Sequence, residues 1–210
     1  MLKLILVRHG ETEWNVQHRY QGQTDIPLSS VGIRQAELAA ERLSGEKIDT
    51  LYASDLKRAW QTANFIAEKV DLPVCAERRL REMSFGVLEG LTWDEAEEKY
   101  PEMLKTWLED YNQPPNGGER LDTFSERVLS LRDDLLKKHD DQTVLLVSHG
   151  GILTELFRIS LDVPVERRWA FSLDNASISE LWLGNDGYPI LKKMNETCHL
   201  REFPKSTQNL

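Results

Sequence analysis

The 210-residue sequence lacks most of the features that announce a function at a glance. It has only two cysteines, Cys75 and Cys198, far apart and outside any CxxC spacing, which excludes a disulfide framework and a cysteine-built zinc site. Both read as plain core or surface thiols. Long apolar runs are missing too. The stretch 1–7 is interrupted by Arg8 too soon for a signal peptide, and no run is long enough to span a bilayer. There is no excess of positive charge: 26 Lys and Arg against 35 Asp and Glu leave a net charge of −9, unfavourable for non-specific attachment to nucleic acid or an anionic membrane. GxGxxG, GxxxxGK, GxSxG and HExxH do not occur, so nucleotide-phosphate folds, a serine hydrolase built on Ser148 and a helical zinc site have no motif support. The expectation is a cytoplasmic protein that meets neither nucleic acid nor membrane; monomer and homodimer both stay open. An anionic ligand would have to be met by a local positive island.

What is present is an alternation of short β-like and helix-like segments without repeats. It predicts a three-layer α/β/α fold with a mostly parallel central sheet, in one domain over 1–210. Residues 2–7 read as a central strand buried on both faces. A long loop follows through Gly22 and Pro27, then a helix from Ser30 carrying Ala36, Leu38, Ala39, Ala40 and Leu43, a strand over 48–53, and a helix over 55–70. Residues 86–120 are acidic, helix-prone over 93–99 and 102–111, and broken at Pro101 and 114–118. They read as a lid-like insertion over the active-site edge. A capping box at Thr123-Phe124-Ser125-Glu126 predicts the next helix start. A strand over 143–147, a helix over 152–161 and a closing hairpin over 177–183 and 189–194, turning through Gly184-Asn185-Asp186-Gly187, complete the chain.

Two segments share one device, an apolar strand running into histidine and glycine: Val7-Arg8-His9-Gly10 and Val147-Ser148-His149-Gly150. In a parallel sheet the strand ends lie on one edge, so His9 and His149 should converge, joined by Arg58 from the helix after the second strand. Each glycine would let the backbone pass close to a ligand. Arginines around a histidine suit a phosphoryl group, whose oxygens match the planar guanidinium. The competing metal site of His9, His149 and Glu82 is disfavoured by the two arginines and the spacing. Arg58 has a plainer alternative, pairing with Asp55 or Asn64 on a helix surface, and Glu82 lies in a charged run that is mostly solvated. Trp14 and Trp60 read as packing, Trp169 and Phe171 as core or interface, and His18, His139 and His199 as surface or structural residues.

The residues Arg8-His9-Gly10-Glu11-Thr12 with Trp14-Asn15, Gln21-Gly22, Leu28-Ser29 with Gly32, Ser54-Asp55-Leu56-Lys57-Arg58 through Ala63, Leu80-Arg81-Glu82 with Gly86 and Glu89-Gly90, and Ser148-His149-Gly150 occur in this order over nearly the whole chain. In these the sequence resembles the histidine phosphatase superfamily, phosphoglycerate mutase-like branch. The resemblance implies His9 as a nucleophile that forms a phosphohistidine. Arg8, Arg58 and His149, with Asn15, Gln21, Gly22 and Gly150, would hold the phosphoryl group. Glu82 would be the general acid and base, with a pKa raised by a partly closed pocket. No metal or cofactor is implied.

Departures from the family pattern separate hydrolysis from mutase chemistry. Where the mutases carry an arginine and a tyrosine after the acid, this chain has Met83 and Phe85; where they carry Trp-Arg-Arg-Ser-Tyr, it has Trp107-Leu108-Glu109-Asp110-Tyr111. A second anionic group would lose its basic partners. The expectation is therefore a phosphomonoester hydrolase for a small metabolite, with α-ribazole phosphate one candidate substrate, since the length and the closing hairpin look most like broad-specificity and α-ribazole phosphatases. The alternatives are a 2,3-bisphosphoglycerate-dependent phosphoglycerate mutase and a non-catalytic phospho-ligand binding module.

Overall fold

The computed structural model describes residues 1–184 and 188–203. Strand β1 (Leu2–Arg8) is apolar through Val7 apart from Lys3, and all of it but Lys3 is buried, which a strand achieves only at the middle of a covered sheet. After β1 come a short helix α1 (Glu13–Val16), helix α2 (Ser30–Leu43), strand β2 (Thr50–Ala53), helix α3 (Lys57–Val70) and strand β3 (Val74–Ala76). Helices α4 (Trp93–Lys99), α5 (Pro101–Glu109) and α6 (Leu121–Lys138) precede strand β4 (Thr143–Ser148) and helix α7 (Gly150–Ser160). A 3-10 turn over Val165–Ala170 leads to strands β5 (Ile178–Leu183) and β6 (Pro189–Glu196).

The sheet order is β3-β2-β4-β1-β5-β6. The first four of these are mutually parallel, while β5 runs antiparallel to β1 and β6 antiparallel to β5, so the sheet is mixed with a parallel centre. Period-two alternation sends Leu2, Leu4 and Leu6 to one face against α6 and α7, and Ile5 and Val7 to the other against α2 and α3. This gives the expected three layers. No helix among the described residues is long and apolar enough to cross a membrane.

Three local expectations differ from the structure. The capping box at Thr123 is not used: α6 starts at Leu121, with Arg120 as the N-cap and no side-chain cap bond, because burying Leu121 extends the helix one turn upstream, where Asp122 takes the Thr123 amide at 2.6 Å. The loop after β1 contains α1, and β3 was not anticipated; at 4 and 3 residues neither is long enough to show a period. The hairpin pairs as expected, although residues 185–187 of its predicted turn lie outside the described residues. Both cysteines are exposed.

Residues 86–120 form α4, α5 and connecting turns around a small core of their own. Leu88, Ala96, Leu104 and Trp107 are buried there, with Tyr20, Phe85, Tyr100 and Tyr111 packed against them. The break expected at Pro101 separates α4 from α5, and Pro101 itself opens α5 at its first position, where its missing N–H costs nothing.

Candidate active site

The parallel pairing of β1 with β4 sets Arg8 opposite Ser148, and the His9 amide donates to the Ser148 carbonyl at 2.9 Å. The next residue of each strand is a histidine. The two rings stand edge to face with centroids 5.1 Å apart, both buried. β2 ends level with them, and α3 folds Arg58 back over the same edge as the largest fully buried side chain among the described residues.

Hydrogen bonds hold each of these side chains in place. His9 Nδ1 donates to the Gly10 carbonyl at 2.7 Å, which places the proton on that nitrogen and leaves the Nε2 lone pair available. Burial, then Arg58, then Arg8 hold this imidazole well below its ordinary value of 6.5, so it is neutral at physiological pH. Arg58 donates from Nε to His149 Nδ1 at 3.1 Å, from Nη1 to the Thr24 carbonyl at 2.9 Å and from Nη2 to the Gly22 carbonyl at 2.7 Å. It is not a helix-surface residue, and Asp55 pairs instead with Arg81 at 2.6 Å. Burial brings the Arg58 pKa down to about 10. His149 accepts from Arg58, so its proton sits on Nε2 and goes to Ser54 Oγ at 2.8 Å; burial and Arg58 keep it well below the ordinary histidine value. Arg8 donates to the Leu173 carbonyl.

A cavity of about 270 Å³ opens over this edge, lined by Arg8, His9, Asn15, Gln21, Gly22, Arg58, Glu82 and Gly150 among others. Eight of the nine expected site residues therefore line it, and His149 stands buried behind Arg58. Thr12 orders two of them: its backbone amide donates to Asn15 Oδ1 at 3.0 Å, and its one hydroxyl proton lies between Gln21 Oε1 at 3.1 Å and Asn15 Oδ1 at 3.0 Å. With the carboxamide oxygens consumed, the amide NH2 ends are what an anion would meet. Glu82 accepts from the Met83 amide and from the Gly151 amide at the start of α7, both at 2.8 Å. The glycine requirement falls partly on other residues than expected. A Cβ on Gly10 would lie 2.3 Å from the Gly32 carbonyl and one on Gly151 2.4 Å from Glu82 Oε1, whereas one on Gly150 would make an ordinary 3.6 Å contact with Arg8.

Several contributors had no role legible in the sequence. Thr62 accepts the Gly10 amide at 3.1 Å and donates to the Arg58 carbonyl at 2.8 Å. Asn175 donates to the His9 carbonyl at 3.1 Å. Trp169 and Phe171, expected in the core or at an interface, line the cavity. Met83 is packed in the core, while Phe85 turns its ring into the cavity wall. Leu108, Glu109 and Asp110 are exposed and line no part of the cavity, so only Phe85 of the departures from the mutase pattern acts at the site directly. Trp14 packs over Gly90 and Trp60 against the sheet core. His139 bonds Tyr52 and Gln142, and His199 bonds the Ala176 carbonyl at 3.0 Å, both structural.

The family model described as histidine phosphatase superfamily (branch 1) matches residues 4–197. Phosphoserine phosphatase 1 of Hydrogenobacter thermophilus is 41% identical over 204 residues, covering 97% of this chain and 96% of that protein. The metal-independent phosphoserine phosphatase of Arabidopsis thaliana is 37% identical over 203 residues, 94% of this chain and 83% of that one. The crystal structure of the α-ribazole phosphatase from Shigella flexneri superimposes with a TM-score of 0.86 at 31% identity, covering 92% of this chain and 96% of that chain.

Proposed function

The chain belongs to branch 1 of the histidine phosphatase superfamily, and we propose that it is a phosphomonoester hydrolase that works through a phosphohistidine on His9. The observation that carries this reading is the neutral His9 imidazole, its Nδ1 proton spent on the Gly10 carbonyl, lining a cavity with Arg8 and Arg58.

In the first step the Nε2 lone pair attacks phosphorus in line; the N–P bond forms, the P–O bond to the alcohol breaks, and Glu82 gives the alkoxide its proton. In the second, Glu82 takes a proton from water as the water oxygen bonds phosphorus and the N–P bond breaks, releasing inorganic phosphate. Arg58 has five N–H donors, of which three are engaged with the protein; the remainder serve phosphoryl oxygens, with Arg8, the amide ends of Asn15 and Gln21, and backbone N–H groups near Gly22 and Gly150. His149 acts on the phosphoryl group through Arg58, whose Nε–H it accepts. Residues held rigidly by such bonds stabilise transferred charge without reorganising, where most of the rate arises.

The substrate is a small metabolite phosphomonoester, for which both the phosphoserine and the α-ribazole phosphatases among the relatives stand as precedents. Residues 86–120 act as a lid-like insertion in a single domain, and the protein works in the cytoplasm without metal or cofactor. The mutase reading is disfavoured by the apolar Phe85 ring where a second anionic group would need a cation.

Incubation with a 32P-labelled phosphomonoester and an alkaline quench should trap acid-labile, alkali-stable phosphate on the wild type and none on His9→Ala. Absence of label on the wild type from every ester tried would overturn the reading. With 3-phosphoglycerate and 2,3-bisphosphoglycerate, phosphate release should outrun isomerisation.

A further inference from the structure

The inner end of the cavity holds its charge and the outer end holds almost none. Arg8 and Arg58 sit at the strand ends. Farther out the wall is built of rings, those of Tyr20, Phe85, Trp169 and Phe171. Tyr20 and Phe85 stand 5.3 Å apart, Phe85 leans on Trp107 at 5.9 Å, Trp107 on Tyr111 at 5.7 Å, and Tyr111 on Trp169 at 6.4 Å. These edges form one continuous arc. The rings come from four separate segments, the loop after β1, Phe85 just ahead of the insertion, the 86–120 insertion itself and the turn before β5, so the arc exists only in the folded chain.

The charged groups that line the outer wall are also paired. Arg19 is its one cation among the described residues. It donates to Glu95 at 2.6 and 3.2 Å, to the Gly90 carbonyl at 2.6 Å and to Gln17 at 2.8 Å. Glu82 is the one carboxylate, and both its oxygens are held by amides. Arg168 lies outside the lining, its guanidinium against the ring faces of Tyr111 at 3.7 Å and Trp169 at 4.4 Å and its buried Nη1 without a hydrogen-bond partner among the described residues; it braces Trp169 from behind while leaving 55% of that residue exposed. Burial raises the Tyr20 phenol to about 12, so it brings no charge.

A substrate carboxylate or ammonium would be desolvated here without a partner, at a cost that an apolar ring does not bear. A flat ring would instead find faces and edges to stack against. We propose that this wall selects phosphomonoesters whose alcohol half is uncharged and carries a planar ring, with Trp169 and Phe85 as the specificity-determining residues. The proposal rests on the phosphatase reading above.

The test compares inorganic phosphate release from 2-phenylethyl phosphate, glycerol 3-phosphate and O-phosphoserine, all primary alkyl monoesters, so that leaving-group chemistry differs little. The wild type should show kcat/KM for the phenylethyl ester about tenfold or more above either of the others, the scale of one stacking contact. In Trp169→Ala, on the exposed 3-10 turn, and in Phe85→Leu, the ratio of phenylethyl to glycerol ester should fall about tenfold and fivefold, through KM. A ratio is insensitive to loss of folded protein. O-phosphoserine matching or exceeding the ring ester, or a ratio unchanged in both variants, would overturn the proposal alone. No release from any of the three esters and no label on His9 would overturn the phosphatase reading and this proposal with it.

Discussion

At the scale of single residues the site tolerates very little added volume. Gly151 donates its amide to Glu82, and a Cβ there would stand 2.4 Å from Oε1 and 3.0 Å from Cδ. Gly151→Ala should therefore push the carboxyl group off its position while the fold survives, since the far end of a side chain yields more cheaply than backbone. The expected loss is on the order of 100-fold in kcat for an alkyl phosphate, the scale of a misplaced general acid. It should be much smaller in the phosphorylation step with 4-nitrophenyl phosphate, read as the burst of 4-nitrophenol, because that leaving group needs no proton. Equal losses on both esters would separate Gly151 from proton transfer. Gly10 is a different case, because its absent Cβ makes room for the Gly32 carbonyl, a backbone atom that cannot swing away.

At the scale of elements, one carboxylate joins two loops of the site. Glu89 accepts from the Gln23 amide at 3.0 Å, the Thr24 amide at 2.8 Å, Thr24 Oγ1 at 2.5 Å, Ser84 Oγ at 3.2 Å and the Phe85 amide at 3.0 Å. It thereby holds the loop whose Gly22 and Thr24 carbonyls grip Arg58, and the segment just after Glu82. Gly22 adopts φ +50°, and a Cβ there would meet Glu89 at 2.0 Å, so the turn and the carboxylate fit only together. Glu89→Gln sets an NH2 against N–H donors; it should cost about 1–3 kcal/mol by the loss of charge-assisted bonds and raise KM more than it lowers kcat, because Arg58 loses its carbonyl partners. Thermal unfolding and steady-state kinetics check both parts, and an unchanged KM would show that Arg58 is held without this clamp. The motif Glu89-Gly90 was visible in the sequence, but not this role, since its partners lie up to 66 residues away.

At the scale of the whole molecule, the buried histidines link the site to stability. Burial and Arg58 depress both His9 and His149, so the unfolded chain takes up their protons first. Their contribution is present above about pH 6.5 and is lost as pH falls below it, toward the folded values, at up to ~1.4 kcal/mol per pH unit for each histidine. The urea midpoint should drop between about pH 7.5 and about pH 5.5, and His149→Asn should flatten that dependence; a midpoint independent of pH in the wild type would contradict it. The order of strands and helices, the central place of β1 and the meeting of His9, His149 and Arg58 were legible in the sequence, because apolar periodicity and parallel strand ends are local patterns with a global consequence. Short or capped boundaries, as at α1, β3 and Leu121, were not, because packing several turns away decides them. The neutral state of His9, the burial of Arg58 behind the 22–24 loop and the ring wall of Tyr20, Phe85 and Trp169 were decided by the tertiary structure alone, since each arises from groups far apart in sequence whose desolvation and contacts exist only once the chain has closed around them.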